Sequence, residues 1–223
     1  MARVGLILPS SNRVVEDALG ARRAAASWHV TRLRVERVAL DAEAARQFEA
    51  MRLAEAAGLL ADAAVDVIVW AGSAGAWTGI AAERALVSRL RAMLGRPVTT
   101  TTLAVVERLH AIGSPRLGLL TPFTSDVHAA IRRELEGVGL EVVCERALGL
   151  ESSLAMAALS AREVQAEALA VGLGRAEAVL ILCTNLRGWE VVGDLEQATG
   201  RPVVDSVAVT LDTALRLVGE CAA

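Results

Sequence analysis

The stretch AVLILCTNLRGWE, Ala178 to Glu190, holds the group in this chain best placed to react. Five apolar residues, Ala178–Leu182, run straight into Cys183, Thr184 and Asn185, so a buried strand ends by handing a thiol to a polar turn. Backbone N–H groups of such a turn, and the positive end of a helix starting near Gly188, would favour thiolate over the ordinary cysteine pKa of about 8.5. The competing reading is a small buried apolar residue, which is how most free cysteines behave. Cys144, inside LEVVCERAL, and Cys221, in the tail, have no comparable surroundings.

Other short segments could hold a small anion. PSSN (Pro9–Asn12) offers two hydroxyls and a carboxamide within four residues, chemistry that suits a carboxylate and equally suits a helix cap or turn. GSAG (Gly72–Gly75) lets backbone approach a ligand closely, but G-x-G-x-x-G is not satisfied and a nucleotide loop is not indicated. TPFTS (Thr121–Ser125) is a further polar turn. The Thr99–Thr102 run reads as the end of a strand and the cap of the next helix, and Trp70 and Trp77 read as packing residues. Leu40 and Met156 could line a pocket for an apolar substituent, and each is equally at home in an ordinary core.

Composition removes whole classes of chemistry. All 23 basic residues are Arg, so neither a Schiff base nor a Walker-type phosphate loop has its Lys. Tyr is absent. Three cysteines without CxxC or CxxH spacing argue against a disulfide framework or a zinc site, and His29, His110 and His128 fall on separate elements; no metal and no cofactor are expected. A net charge of −3 without a basic run argues against nucleic acid. No apolar run reaches the ~18 residues of a membrane helix, and the N-terminus lacks the h-region of a signal peptide, so a cytoplasmic protein off the membrane is expected.

These groups need a scaffold, and the chain supplies one by alternation. Apolar runs at Arg3–Pro9, Val30–Val38, Val65–Ala71, Pro97–Thr101, Arg116–Thr121, Glu141–Ala147, Ala176–Cys183 and Pro202–Asp205 predict strands. Helical periodicity lies between them: Ala42–Ala61, Ala81–Leu94, Leu103–Ala111, Ser125–Gly137, Ala161–Val171, Gly188–Thr199 and Val207–Gly219. Near-continuous apolar strands alternating with helices imply an α/β fold with parallel sheets covered on both faces. The chain also repeats itself: VGLILP returns as LGLLTP, VIVWAG as AVLILC, and RPVTTT as RPVVDS, in the same order. Two halves of similar topology are expected, and facing each other across a pseudo-twofold axis they would enclose one cleft. Ligands of such sheets bind beyond the carboxyl ends of the strands, which sets Gly72 and Cys183 on opposite walls of one cleft.

PSSN after the first strand, Gly-Ser after the third, TPFT after the fifth and Cys-Thr after the seventh resemble the aspartate/glutamate racemase superfamily, in the branch of maleate cis–trans isomerases and arylmalonate decarboxylases. The similarity continues through RPVTTTTLAVVERL, GLLTPFTSDV and RPVVDSVA. It implies two flavodoxin-like halves, each with a four-stranded parallel sheet, around an active site between them; the last helix would cross back, so that one half comprises residues 1–100 plus 207–223 and the other residues 101–206. It also implies a cofactor-free enzyme of a small carboxylic acid, with one catalytic thiol per half in racemases and isomerases and only the second in the decarboxylase. Cys183 then matches the retained thiol and Gly72 the empty position. The resemblance further assigns substrate binding to Pro9, Ser10, Asn12, Gly72, Ser73, Ala74, Phe123, Thr124 and Thr184, with Asn12 on a carboxylate and oxyanion donors around Ser73–Ala74 and Cys183–Thr184. The chain departs from the pattern at Phe123, where the family has Tyr, at Ala74, which lacks a hydroxyl, and in LGLESS (Leu148–Ser153), which lacks Asn.

One thiol permits one-faced chemistry. Racemisation takes a proton from one face and returns it on the other; decarboxylation through an enediolate needs only one donor. An arylmalonate-decarboxylase-like lyase with Cys183 as proton donor is expected. The alternatives are a maleate isomerase or Asp/Glu racemase-like isomerase, and a non-catalytic carboxylate-binding protein. A small carboxylate is the expected partner, and a homo-oligomer is one expected state.

Overall fold

A computed structural model describes residues 1–22 and 25–221, without the side chain of Cys221, so that cysteine and residues 222–223 lie outside the described part. In order, the elements are β1 (Arg3–Pro9), α1 (Val14–Ala21), β2 (Ser27–Leu33), α2 (Ala42–Arg46), α3 (Ala50–Asp62), β3 (Val67–Trp70), α4 (Gly75–Thr78), α5 (Ile80–Leu94), β4 (Val98–Thr100) and α6 (Thr101–Ala111). They continue with β5 (Arg116–Thr121), α7 (Ser125–Gly137), β6 (Glu141–Ala147), α8 (Ser153–Ala158), α9 (Ala161–Leu169), β7 (Ala178–Ile181), a 3-10 turn (Arg187–Glu190), α10 (Val192–Thr199), β8 (Val203–Asp205) and α11 (Ser206–Cys221).

Two four-stranded parallel sheets result, ordered β2-β1-β3-β4 and β6-β5-β7-β8. The central strands are apolar on both faces because helices cover both: Leu6, Ile7, Ile68, Leu119, Leu120 and Leu180 are at most 1 % exposed. Each such side chain contributes about 2 kcal/mol by leaving water. The edge strand β2 instead carries His29, Thr31 and Arg32, in keeping with one solvated side. The last helix leaves the second sheet and packs on the first: Val207, Leu211, Ala214 and Val218 of α11 share a core with Val4, Leu6, Val14 and Ala18. Thr101 of α6 and Thr210 of α11 pair their hydroxyls at 2.7 Å.

The strands β1, β5 and β6 and the helix α7 have the expected bounds. The second strand does not. It begins at Ser27 and ends at Leu33, because the backbone beyond it is held by side chains instead of a neighbouring strand. The Ser10 hydroxyl donates to Val35 O (3.2 Å) and accepts from Val35 N (3.0 Å). Gln47 accepts from the amides of Glu36 and Arg37 and donates to Arg37 O (3.0 Å) and Ala44 O (3.0 Å). The same glutamine divides the expected helix Ala42–Ala61 into α2 and α3. Three short helices (α1, α4, α8) escape the periodicity, being too brief to display a stripe. The helix expected from Gly188 starts at Val192, after the 3-10 turn. Among the described residues no helix is long and apolar enough to cross a membrane.

Candidate active site

The segments following β1, β3, β5 and β7 converge on a cleft of about 580 Å3, its open mouth included. One wall carries Gly72, Ser73 and Ala74, and the other Cys183, Thr184 and Asn185. Pro9, Ser11 and Asn12 lie between them, and the segment from Val35 to Val38 borders the cleft. Of the expected binding residues, Pro9, Asn12, Gly72, Ser73, Ala74, Phe123 and Thr184 line the cleft together with Cys183. Ser10 and Thr124 do not. Ser10 spends its hydroxyl on Val35, and Thr124 is the N-cap residue immediately before α7.

The loop after β1 is stitched to the Cys183 wall by amide side chains. Asn12 Nδ2 donates to Thr184 O (2.8 Å) and Thr184 Oγ1 (3.2 Å), while its Oδ1 accepts from Val15 N (3.1 Å). Asn185 returns the contact: its Oδ1 accepts from Arg13 N (3.0 Å) and Val14 N (3.4 Å), and its Nδ2 donates to Ser153 O (2.8 Å) and Oγ (2.9 Å). The carboxamide expected to face a carboxylate is therefore 1 % exposed and engaged across the halves. Arg32 braces the same loop from outside, donating to Ser10 O (3.0 Å) and Asn12 O (3.0 Å).

Cys183 corrects the expectation of a thiolate. Its side chain is buried, 4 % exposed, and burial pushes the thiol up to about 12. The Asn185 amide, 3.3 Å from Sγ, pulls the other way, and the buried Asp205 carboxyl behind it adds to the rise. One amide and a helix that begins only at Val192 do not offset the lost hydration, so the sulfur is a neutral S–H at physiological pH. The amides of Gly72, Ser73, Ala74, Cys183 and Thr184 meet no backbone acceptor among the described residues, which leaves a set of N–H donors around the cleft.

The remaining wall is aromatic, and it includes Trp70 and Trp77, which by sequence read as packing residues. Phe48, Trp70, Trp77 and Phe123 line the cleft with Met156. Their rings interlock: Phe48–Trp70 at 6.4 Å, Phe48–Trp77 at 6.1 Å edge-on, and Trp77–Phe123 at 5.1 Å. Met156 lines the cleft as weighed, whereas Leu40 is 43 % exposed and stands outside it. Phe48 carried no sequence signal, whereas Ser11 belongs to PSSN and Glu151 and Ser153 to LGLESS; the four come together from segments far apart in the chain. Arg37 also borders the cleft, but its guanidinium is engaged by Asp41 (2.7 Å) and Glu43 (3.1 Å).

A family model described as arylmalonate decarboxylase matches residues 4–223. Among relatives, a maleate isomerase of Pseudomonas putida is 28% identical over 223 residues, covering 93% of this chain and 88% of its own. An arylmalonate decarboxylase of Bordetella bronchiseptica is 28% identical over 145 residues, covering 64% of this chain and 60% of its own. A crystal structure of an arylmalonate decarboxylase variant in liganded form, with one glycine changed to cysteine and one cysteine to serine, superimposes with a TM-score of 0.89 at 24% identity. That superposition covers 98% of this chain and 93% of the other.

Proposed function

The chain belongs to the arylmalonate decarboxylase family, and we propose that it removes CO2 from a substituted malonate without a cofactor, with Cys183 protonating the carbon left behind. The observation that carries this reading is a buried, neutral thiol facing a wall that has no side chain at Gly72. When the C–C bond to the departing carboxylate breaks, its electron pair stays on the α-carbon and spreads into the remaining carboxylate as an enediolate. The free amides around Ser73–Ala74 and Cys183–Thr184 supply donors for that developing charge, each worth about 3 kcal/mol in such a role. The Cys183 S–H then gives its proton to the α-carbon, and the resulting thiolate recovers a proton from water. Burial keeps that proton on sulfur beforehand, and the enediolate carbon is basic enough to take it. The aromatic wall of Phe48, Trp77 and Phe123 suits a flat apolar substituent and excludes water from one face.

Isomerase chemistry is favoured less by the site. Racemisation needs a second acid or base opposite Cys183, and addition to maleate needs a thiolate; a glycine supplies neither, and Cys183 is held protonated. The test is turnover of phenylmalonate in D2O, with maleate as the comparison substrate. Monodeuterated phenylacetate with one enantiomer in excess is expected, with at least a thousandfold loss in Cys183→Ser. Full activity in that variant, or conversion of maleate with inert malonates, would overturn the assignment.

A further inference from the structure

We propose that Trp70 is the specificity-determining residue of the cleft: its indole occupies the space beside Gly72, limits the substituent a malonate substrate can carry, and leaves no room for a second thiol. The inference rests on the malonate reading above. Residues 70 and 72 project to the same side of the strand end, and the indole folds back along the backbone of Gly72. A Cβ built on Gly72 would lie 2.3 Å from Trp70 Cζ2, 2.5 Å from Cε2 and 2.9 Å from Cη2. Such distances are not tolerated, and the ring has little freedom to yield, being 4 % exposed and packed on Phe48.

The internal repeat supplies the comparison. Trp70 and Gly72 correspond to Ile181 and Cys183 in the second half, at the ends of β3 and β7. A smaller aliphatic residue accompanies the side chain that does chemistry, whereas a large aromatic one accompanies its absence. Trp70 also has a far side. Together with Phe48, Ala74, Thr78, Glu83 and Leu86 it lines a second hollow of about 770 Å3, its open mouth included. The indole is thus a partition between that hollow and the cleft. A compact single-ring or alkenyl substituent ends against it, and a fused two-ring substituent meets it.

Two measurements test this, one of them independent of turnover. First, Gly72→Cys is made in the parent and in the Trp70→Ile background, and thermal midpoints are compared as a cycle. The exchange is expected to lower the midpoint by more than 5 °C in the parent and by less than 2 °C beside isoleucine, where one additional thiol also reacts in the folded protein. Equal shifts in both backgrounds would overturn the proposal. Second, kcat/KM for 2-naphthylmalonate relative to phenylmalonate is measured in the parent, Trp70→Ile and Trp70→Leu. The ratio is expected to rise at least tenfold in both variants, and an unchanged ratio would overturn the proposal. If the parent turns over neither malonate, the functional assignment falls and the midpoint cycle alone decides whether the indole holds that space.

Discussion

Replacing Glu83 by Gln keeps the shape of a buried side chain and abolishes its proton equilibrium. Glu83 lies beneath the Gly72–Gly75 loop, 6 % exposed, with Thr100, Thr102 and the Gly75 amide facing its carboxyl and with Oε2 lacking a hydrogen-bond partner. Burial pushes its pKa from 4.5 to about 7 against the pull of those three donors. The folded chain therefore holds a proton that the unfolded chain releases near pH 4.5. Stability contributed by this group is full below that pH, falls as pH rises toward 7, and is flat above it. Between pH 5 and 8 the loss amounts to roughly 2 to 3 kcal/mol. Asp205, raised from 3.8 to about 7 by burial, acts with the same sign, so the informative quantity is the difference between parent and variant. Guanidinium unfolding at pH 5 and pH 8 measures it. The parent should lose roughly 2 to 3 kcal/mol more than Glu83→Gln over that interval. Parallel pH profiles would show that the carboxyl is ionised in the folded protein, and the account of a dry pocket under the loop would fail.

Other expectations follow from the same contacts. Gly75→Ala would drive its Cβ to 2.1 Å from Glu83 Oε2, and a destabilisation of about 1–3 kcal/mol should appear in the same unfolding assay. Asn185→Ala strips Arg13 N and Val14 N of their acceptor and should cost about 2 kcal/mol or more of stability, read as a lower guanidinium midpoint. Because the Cys183 thiol is held near 12, its alkylation by iodoacetamide at pH 8 should be slower than that of a free cysteine and should rise about tenfold per pH unit up to pH 10, followed by peptide mass spectrometry. Phe123→Tyr brings a hydroxyl to the cleft wall and should raise kcat/KM for phenylmalonate by about tenfold if it reaches the carboxylate; steady-state kinetics decide.

Much of the scaffold was legible because it is local. Parallel strands buried on both faces must be apolar throughout, and the helices between them keep their period, so β1, β5, β6 and α7 could be bounded from residue types alone. The internal repeat goes further and pairs Gly72 with Cys183 from residue types and order alone. The segment from Arg34 to Val38 was misread as strand because nothing near it announces that Ser10 and Gln47 would take its backbone groups. Phe48 was missed for a similar reason, since it reaches the cleft from the break between α2 and α3, whose course depends on distant partners.

What the sequence determined by itself is the inventory and its order: one thiol at a strand end, a glycine at the matching position, no Lys, no Tyr, and an alternation that brings strand ends together. What only the tertiary structure decided is the state of those groups. Whether Cys183 ionises depends on how much water the whole fold removes and on the carboxyl of Asp205, 22 positions on in the chain. Whether Asn12 meets a ligand or Thr184 depends on how two halves dock, and whether Gly72 could be anything else depends on where an indole two residues away comes to rest. Solvation and steric exclusion are sums over every atom that arrives, and those sums exist only once the chain has closed on itself.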